Sequence, residues 1–199
     1  MKKKFSKEFD QLVDFLNFTH EFREIVRVAR SPKGGRFEND TEHSYQVAMM
    51  AWFLIENNKL KFDKERCLMY ALAHDLVEVY AGDTYIYDKK QMSSKHQREK
   101  KALEKIKKRF PHFKNLIKII EAYEKREDEE SKFVYAIDKI IPPIQIYLEK
   151  GKLWHEKNVS FKELSDNKTE KIAISKEVNK YWQELFRELK KGRKKLFPN

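Results

Sequence analysis

Apolar residues recur every three to four positions along most of this chain, and few residues interrupt that spacing. The 199 residues include five glycines and five prolines, too few for the many turns of a β-rich fold. Hydrophobic residues make up 40% of the chain, enough to bury a core. The pattern predicts an all-α fold of long helices joined by short connections, in one domain rather than two.

The apolar spacing predicts about seven helices. Asp40 or Thr41 is expected to cap the second helix, and Gly82 to end the third. Pro142 cannot donate to the carbonyl of Asp138, so the long helix that contains both is expected to kink after the aspartate. The helices are predicted at 6–29, 41–58, 63–81 and 92–109, around FKNLIKIIEAY, from EESKFVYAIDKII onward, and at 168–190, with a loop at ARSPKGGRFEND between the first two.

Charge and composition narrow the classes of function. No stretch approaches the roughly 20 apolar residues of a membrane span, and the opening MKKKFSKEFD lacks the apolar stretch of a signal peptide. A soluble, cytoplasmic protein with no membrane partner is therefore expected. The formal net charge of +11 favours an anionic substrate, but much of the excess lies in runs such as KKGRKK at 190–195. Such runs are typical of solvated surfaces, so nucleic acid is not the expected partner.

Three ionisable residues interrupt the most apolar helix, which contains YALAHDLVEVYAGD at 70–83. They are His74, Asp75 and Glu78. An ionised carboxylate in an apolar helix is costly unless a cation or several donors compensate it. No lysine or arginine lies between Arg66 and Lys89. A bound metal ion would supply the positive charge, with its remaining ligands coming from other helices.

The order of four ionisable residues resembles a known signature. His43, then the adjacent His74-Asp75 pair, then Asp138 in YAIDKI follow the H…HD…D pattern of the HD-domain metal-dependent phosphohydrolases. The strings ENDTEHSYQVAMMA, ALAHDLVEVYAGD and KFVYAIDKI are similar to the branch that contains the 5′-deoxynucleotidases. The resemblance covers roughly residues 10–150 and implies an HD-domain helical bundle there, with 151–199 as a C-terminal helical extension of the same single domain.

The resemblance also implies roles for individual residues. One divalent ion would be held by His43, His74, Asp75 and Asp138. Two imidazoles and two carboxylates suit manganese, cobalt, iron or nickel and do not exclude zinc, and the ion would activate water for attack on phosphorus. Glu78, four residues after His74, matches a catalytic glutamate of the family. Asp83 matches an aspartate near the leaving sugar oxygen, a candidate proton donor.

Substrate contacts are expected from the segment between the first two helices. Arg30 best matches the family arginine that binds phosphate. Arg36 is a second candidate for that position, because this segment differs in length from the corresponding segment of the family. Lys33 lies between them. Bacterial deoxynucleotidases carry a tryptophan directly after that arginine, near the sugar, where this chain has Ser31-Pro32. The choice between deoxyribose and ribose is therefore left open.

The prediction is a metal-dependent 5′-nucleotidase that removes phosphate from deoxy- or ribonucleoside monophosphates. A hydrolase of the same family acting on a nucleoside triphosphate or a guanosine alarmone would use the same ligands. A non-catalytic basic helical module that binds nucleic acid or protein is the third alternative, and the presence of all four ligands and of Glu78 argues against it. Whether the chain forms a homodimer is left open. Tyr85 and Tyr87 either face the base of the substrate or pack at the surface, and the sequence does not decide between these.

Overall fold

The structure is a computed structural model that describes residues 5–31 and 35–198. Helices account for nearly all of its regular elements, beside one sheet of two antiparallel strands, which confirms the all-α class. The helices are α1 (Lys7–Arg23), α2 (Asp40–Asn57), α3 (Lys64–Ala73), α4 (Glu78–Ala81), α5 (Lys89–Arg109), α6 (Lys114–Lys125), α7 (Glu129–Leu148), α8 (Lys152–Glu156), α9 (Phe161–Ala173), α10 (Lys176–Lys191) and α11 (Arg193–Leu196), and the strands are β1 (Val26–Arg30) and β2 (Phe37–Asn39). In this part of the chain no helix combines the length and apolar character that crossing a membrane requires.

A hairpin replaces the end of the predicted first helix and the loop after it. The helix stops at Arg23, and β1 then pairs antiparallel with β2, so the prediction of helix to residue 29 was wrong. Across the turn the N–H of Ser31 donates to the carbonyl of Arg36 at 2.9 Å. Pro32 and Lys33 lie outside the described residues. The hairpin matters for function because it carries Arg27 toward the interior.

Polar side chains fix where the helices begin. Asn39, not Asp40 or Thr41, caps α2: its side chain accepts from the N–H of Glu42, whose own side chain accepts from the N–H of Asn39. This reciprocal pair satisfies two amides that the first turn leaves free. It places His43 in the first turn of α2, fully buried, as the apolar spacing predicted.

The predicted third helix is broken in its middle. The segment 74–77 forms a turn between α3 and α4, in which the N–H of Leu76 donates to Ala73 at 3.2 Å and that of Glu78 to Asp75 at 2.8 Å. These bonds span three residues rather than four, so the backbone winds more tightly than an α-helix there. Gly82, with φ +73°, ends α4 as predicted.

Helix α7 lies at the centre of the larger hydrophobic cluster and contacts α2, α3, α6, α9 and α10. It continues through Pro142 and Pro143, and the kink after Asp138 stays a prediction. The final helix predicted at 168–190 is two helices, α9 and α10, separated at 174–175. The segments after residue 150 bury Trp154 and Trp182 in the same cluster as α7, so they pack directly against the elements that carry the site.

Candidate active site

A cavity of about 380 Å³ opens between β1, the turn at 74–77, α5, α7 and α9. The tight turn places His74, Asp75 and Glu78 in its wall. Asp138 reaches the same wall from α7, 63 positions after Asp75 in the sequence. The cavity therefore gathers residues that the chain keeps far apart.

Four candidate metal ligands converge beside this cavity, three of them in its wall. One ligand atom each from His43, His74 and Asp75 lie within 4.8 Å of one another. Nε2 of His43 lies 3.0 Å from Oδ1 of Asp138. The two imidazole rings, at 5.5 Å between centroids, come from α2 and from the end of α3. The structure thus brings together all four residues of the sequence signature.

The orientation of His74 fits a metal ligand. Its Nδ1 lies 2.9 Å from the carbonyl of Ala71, so the ring donates there and leaves the lone pair of Nε2 facing the cavity. Nε2 lies 3.1 Å from Oδ2 of Asp75, yet it has no hydrogen-bond partner among the described residues. Two ligand atoms each about 2.1 Å from one ion are roughly 3 Å apart when their bonds meet near a right angle. The donor set therefore fits a divalent metal ion.

The pKa values of the two candidate ligand carboxylates are lowered. Burial acts to raise the pKa of Asp75, but His74, in its protonated form, and Arg27 lower it below its usual range. Burial likewise opposes ionisation of Asp138, and Lys139 with His43 lowers the pKa of that carboxyl. Oδ2 of Asp138 accepts from Nζ of Lys139. Ionised carboxylates are the form that binds a cation.

Arg27 of β1 supplies a cation that local sequence did not reveal. Its guanidinium lies 2.9 Å from both Asp40 and Asp75 and 3.4 Å from Glu38. Asp75 therefore has a cationic partner from another element, which the absence of lysine and arginine between Arg66 and Lys89 did not indicate. Burial, followed by the charge of Asp75, raises the pKa of Asp40 to about 6.

Glu78 is a further carboxylate in the wall of the cavity. It is 3% exposed, and single oxygens of Glu78, Asp40 and Asp75 lie within 4.8 Å of one another. Burial raises the pKa of Glu78 well above its ordinary value, and the negative charges of Asp75 and Asp40 raise it further. Nζ of Lys95, on α5, lies 3.5 Å from Oε1. A carboxyl so placed can hold or release a proton beside the candidate metal ligands.

The remaining predicted residues fall into two groups. Asp83, Tyr85 and Tyr87 line the cavity. Arg30 and Arg36 are not among the residues of its wall. Arg30 pairs with Glu156 at 2.6 Å and stacks over Phe37. Arg36 is exposed and donates two hydrogen bonds to the carboxylate of Glu42.

Sequence reasoning missed four charged residues of the site. Arg27 lay within the helix predicted at 6–29, Asp40 was predicted only as a possible cap, and Lys139 and Lys168 received no role. Lys168 does carry a signal, because it stands between Leu164 and Ile172 at spacings of four on the buried stripe of α9. A lysine at an inward position of an amphipathic helix is unusual.

The fold and the cluster of histidines and aspartates define a helical protein with a site suited to a divalent metal ion. A model of the HD domain family matches residues 19–182. The chain therefore belongs to the HD domain family, which confirms the resemblance seen in the sequence. Membership implies a divalent metal, and the cluster described above could bind it.

Individual relatives agree with this assignment. The chain is 32% identical to the 5′-deoxynucleotidase HDDC2 of Homo sapiens over 133 residues, which are 64% of this chain and 63% of that protein. It is 26% identical over 129 residues to the 5′-deoxynucleotidase hdd1 of Schizosaccharomyces pombe, or 62% and 64% of the two chains. The chain thus spans less than two thirds of these relatives. A predicted metal-dependent phosphohydrolase from Magnetospirillum magnetotacticum superposes with a TM-score of 0.82 at 27% identity, over 98% of this chain and 100% of that one.

Proposed function

We propose that this chain is a metal-dependent 5′-nucleotidase that removes phosphate from deoxy- or ribonucleoside monophosphates. The observation that carries the proposal is the convergence of the four candidate ligands, three of them in the wall of a cavity that also contains the buried Glu78. The 5′-deoxynucleotidase names of two relatives support the substrate class. A cavity of about 380 Å³ lies within the range of small-molecule sites.

The proposed metal ligands are His43, His74, Asp75 and Asp138. When bound, the ion supplies a Lewis acid that lowers the pKa of water and neutralises charge on a phosphoryl group. Imidazole and carboxylate ligands suit manganese, cobalt, iron, nickel or zinc. The backbone carbonyl of Ala71 fixes the ring of His74, and Arg27 holds the carboxylate of Asp75, so both donors are oriented before any ion binds.

Glu78 is the proposed proton carrier. Oε2 is buried without a hydrogen-bond partner in the described part of the chain. Once a bound cation or a neighbouring lysine favours its ionised form, it would accept a proton from an attacking water. The neighbouring Lys95 interacts with Oε1 and thereby orients the carboxyl group. Asp83, also in the wall, would protonate the leaving sugar oxygen. Both roles are general acid–base catalysis by positioned carboxyl groups.

Arg30 and Arg36 remain proposals for phosphate contacts. Arg30 would have to exchange Glu156 for the phosphate, and Arg36 would have to leave Glu42. Either exchange trades one charge-assisted hydrogen bond for another. Tyr85 and Tyr87, whose rings lie 5.3 Å apart in the cavity wall, offer aromatic faces that suit a base.

Phosphate release from a panel of ribo- and deoxyribonucleoside monophosphates tests the function. The protein loaded with manganese or cobalt should hydrolyse members of the panel, and Glu78→Gln should lower kcat by about 10²- to 10⁴-fold while keeping the metal. Asp138→Asn should lose metal by elemental analysis. Glu99→Gln is the matched control, because Glu99 shares Lys95 with Glu78 but lies on α5; it should retain most turnover.

Two results would count against the proposal. Loaded parent protein that releases no phosphate from any monophosphate would refute the function. Glu78→Gln with the turnover of the parent would refute the role of Glu78 alone. Elemental analysis of each variant separates loss of metal from loss of proton transfer.

Self-association is proposed on a separate observation. Large apolar side chains are exposed on α1 and α2, among them Leu12 at 62%, Leu16 at 52% and Phe53 at 57%. Exposed apolar surface of this kind is typical of protein contacts. A homodimer would cover it, and light scattering coupled to size-exclusion chromatography measures whether the mass is that of one chain or two.

A further inference from the structure

A buried lysine of α9 lies in the wall of the cavity without an acidic partner. Lys168 is 6% exposed and lines the cavity. It makes no ion pair and no side-chain hydrogen bond with any residue of 5–31 or 35–198. Removing an ammonium group from water without a counter-charge is costly. The fold therefore keeps a positive charge where it destabilises the protein.

The neighbours of Lys168 increase that cost. Lys171 lies three residues later on the same side of α9, lines the same cavity and is likewise unpaired within the described residues. Burial, followed by the charge of Lys139, lowers the pKa of Lys168 to about 7. Lys171 and Arg27 act in the same direction, and only Asp138 opposes them. Three lysines from α7 and α9 thus face one end of the cavity.

Arg27 and Lys95, two other cations of the cavity, already have carboxylate partners, and Arg126 lies over the ring of Tyr135. Arg27 contacts Asp40 and Asp75, both at 2.9 Å. Lys95 contacts Glu99 at 3.1 Å and Glu78 at 3.5 Å. An anion that enters the cavity can pair with Lys168 or Lys171 without breaking an existing ion pair. Lys139, which is bonded to Asp138, joins this cationic end to the candidate metal ligands.

We propose that Lys168 and Lys171, with Lys139 beside them, form an anion subsite that binds the phosphoryl oxygens of the substrate and then the inorganic phosphate product. The inference rests on the proposed function and deepens it, because it assigns the phosphate to α9, in the segment that follows residue 150. Phosphate offers several acceptor oxygens and more than one negative charge, which matches two or three converging ammonium groups. The same charges would disfavour a neutral ligand.

Binding of inorganic phosphate to the metal-loaded protein tests the subsite. Isothermal titration calorimetry gives the Kd for phosphate, and inhibition of monophosphate hydrolysis gives an independent value. Lys168→Met should weaken phosphate binding roughly ten- to hundredfold, the range expected for loss of a hydrogen bond between charged groups. KM for the monophosphate should rise by a similar factor. Lys168→Arg keeps the charge, so its Kd for phosphate should lie nearer that of the parent.

Lys162→Met is the matched control. Lys162 is on the same helix, but its side chain is 79% exposed and pairs with Asp166, so phosphate affinity should not change. Thermal unfolding distinguishes a loss of phosphate binding from a loss of folding. Lys168→Met removes a buried unpaired charge, so its melting temperature should be no lower than that of the parent. Parent protein that binds no phosphate, or Lys168→Met with the Kd of the parent, would overturn the subsite.

The two proposals can fail separately. If the loaded parent hydrolyses no monophosphate while Lys168→Met still weakens phosphate binding, the nucleotidase proposal falls and the subsite stands. If hydrolysis occurs and Lys168→Met binds phosphate as the parent does, the subsite falls and the nucleotidase proposal stands. Repeating the titration on chelator-treated protein shows how much of the phosphate affinity comes from the lysines without the ion.

Discussion

Arg27→Met should destabilise the protein strongly, because it removes the cation that two buried carboxylates and the partly buried Asp75 share. The guanidinium is 13% exposed and lies 2.9 Å from Asp40 and Asp75 and 3.4 Å from Glu38. Removing one partner of a buried ion pair leaves uncompensated charge and costs about 3–5 kcal/mol. Each kcal/mol corresponds to roughly 2–4 °C for a chain of this size, so the melting temperature should fall by roughly 6–20 °C.

A divalent ion should recover part of this loss. Asp75 is a candidate ligand, and an ion beside it would replace some of the positive charge that Arg27 supplied. Differential scanning calorimetry of parent and variant, each with and without manganese, measures both effects. Arg36→Met is the control, because Arg36 is exposed and pairs with Glu42 at the surface; it should melt close to the parent. An Arg27→Met protein that melts within about 2 °C of the metal-free parent would refute the idea that this arginine holds the carboxylates.

Two further predictions concern stability. Gly151→Ala should lower the melting temperature more than Gly35→Ala: both glycines have positive φ, but a Cβ at Gly151 would lie 2.1 Å from the carbonyl oxygen of Leu196, whereas one at Gly35 meets nothing within 4 Å. Because the pKa of Lys168 falls from 10.5 to about 7 on folding, its protonation destabilises the protein fully below pH 7 and progressively less as the pH rises to 10.5. Lys168→Met should therefore gain more stability over the parent at about pH 6 than at about pH 9.5 in denaturant titrations; an equal gain at both would contradict this. The charged groups around that lysine are Lys139, Lys171, Arg27 and Asp138.

The helical class could be predicted because apolar spacing is a local property. The helices at 89–109 and 114–125 lie close to their predicted positions, since Pro111 and the charged flanks mark their ends. The hairpin could not be predicted in this way. Val26 and Val28 fit either a helix or a strand, and their state is decided by pairing with residues about ten positions later, which is a tertiary effect.

The same distinction separates the parts of the site. The order of His43, His74-Asp75 and Asp138 can be read directly from the sequence, so the resemblance to the HD-domain signature could identify it. The break at 74–77 was missed because the turn contains no glycine or proline. The pairing of Arg27 with Asp75 joins residues 48 positions apart, and no local pattern reports such a contact. Charge compensation is therefore the feature of this site that sequence predicts least well.

The position of Lys168 shows how a cost to folding can indicate function. Leu164, Lys168 and Ile172 form one buried row on α9, and an apolar residue at the middle position would avoid the desolvation penalty. The row places the ammonium group in the wall of the cavity that also contains Asp138 and two other candidate metal ligands. A charge that weakens the folded protein but meets an incoming phosphate is stabilised when that phosphate binds. In the proposed function, binding energy of this kind would position the phosphoryl group next to the candidate metal ligands and Glu78, where orientation contributes directly to rate.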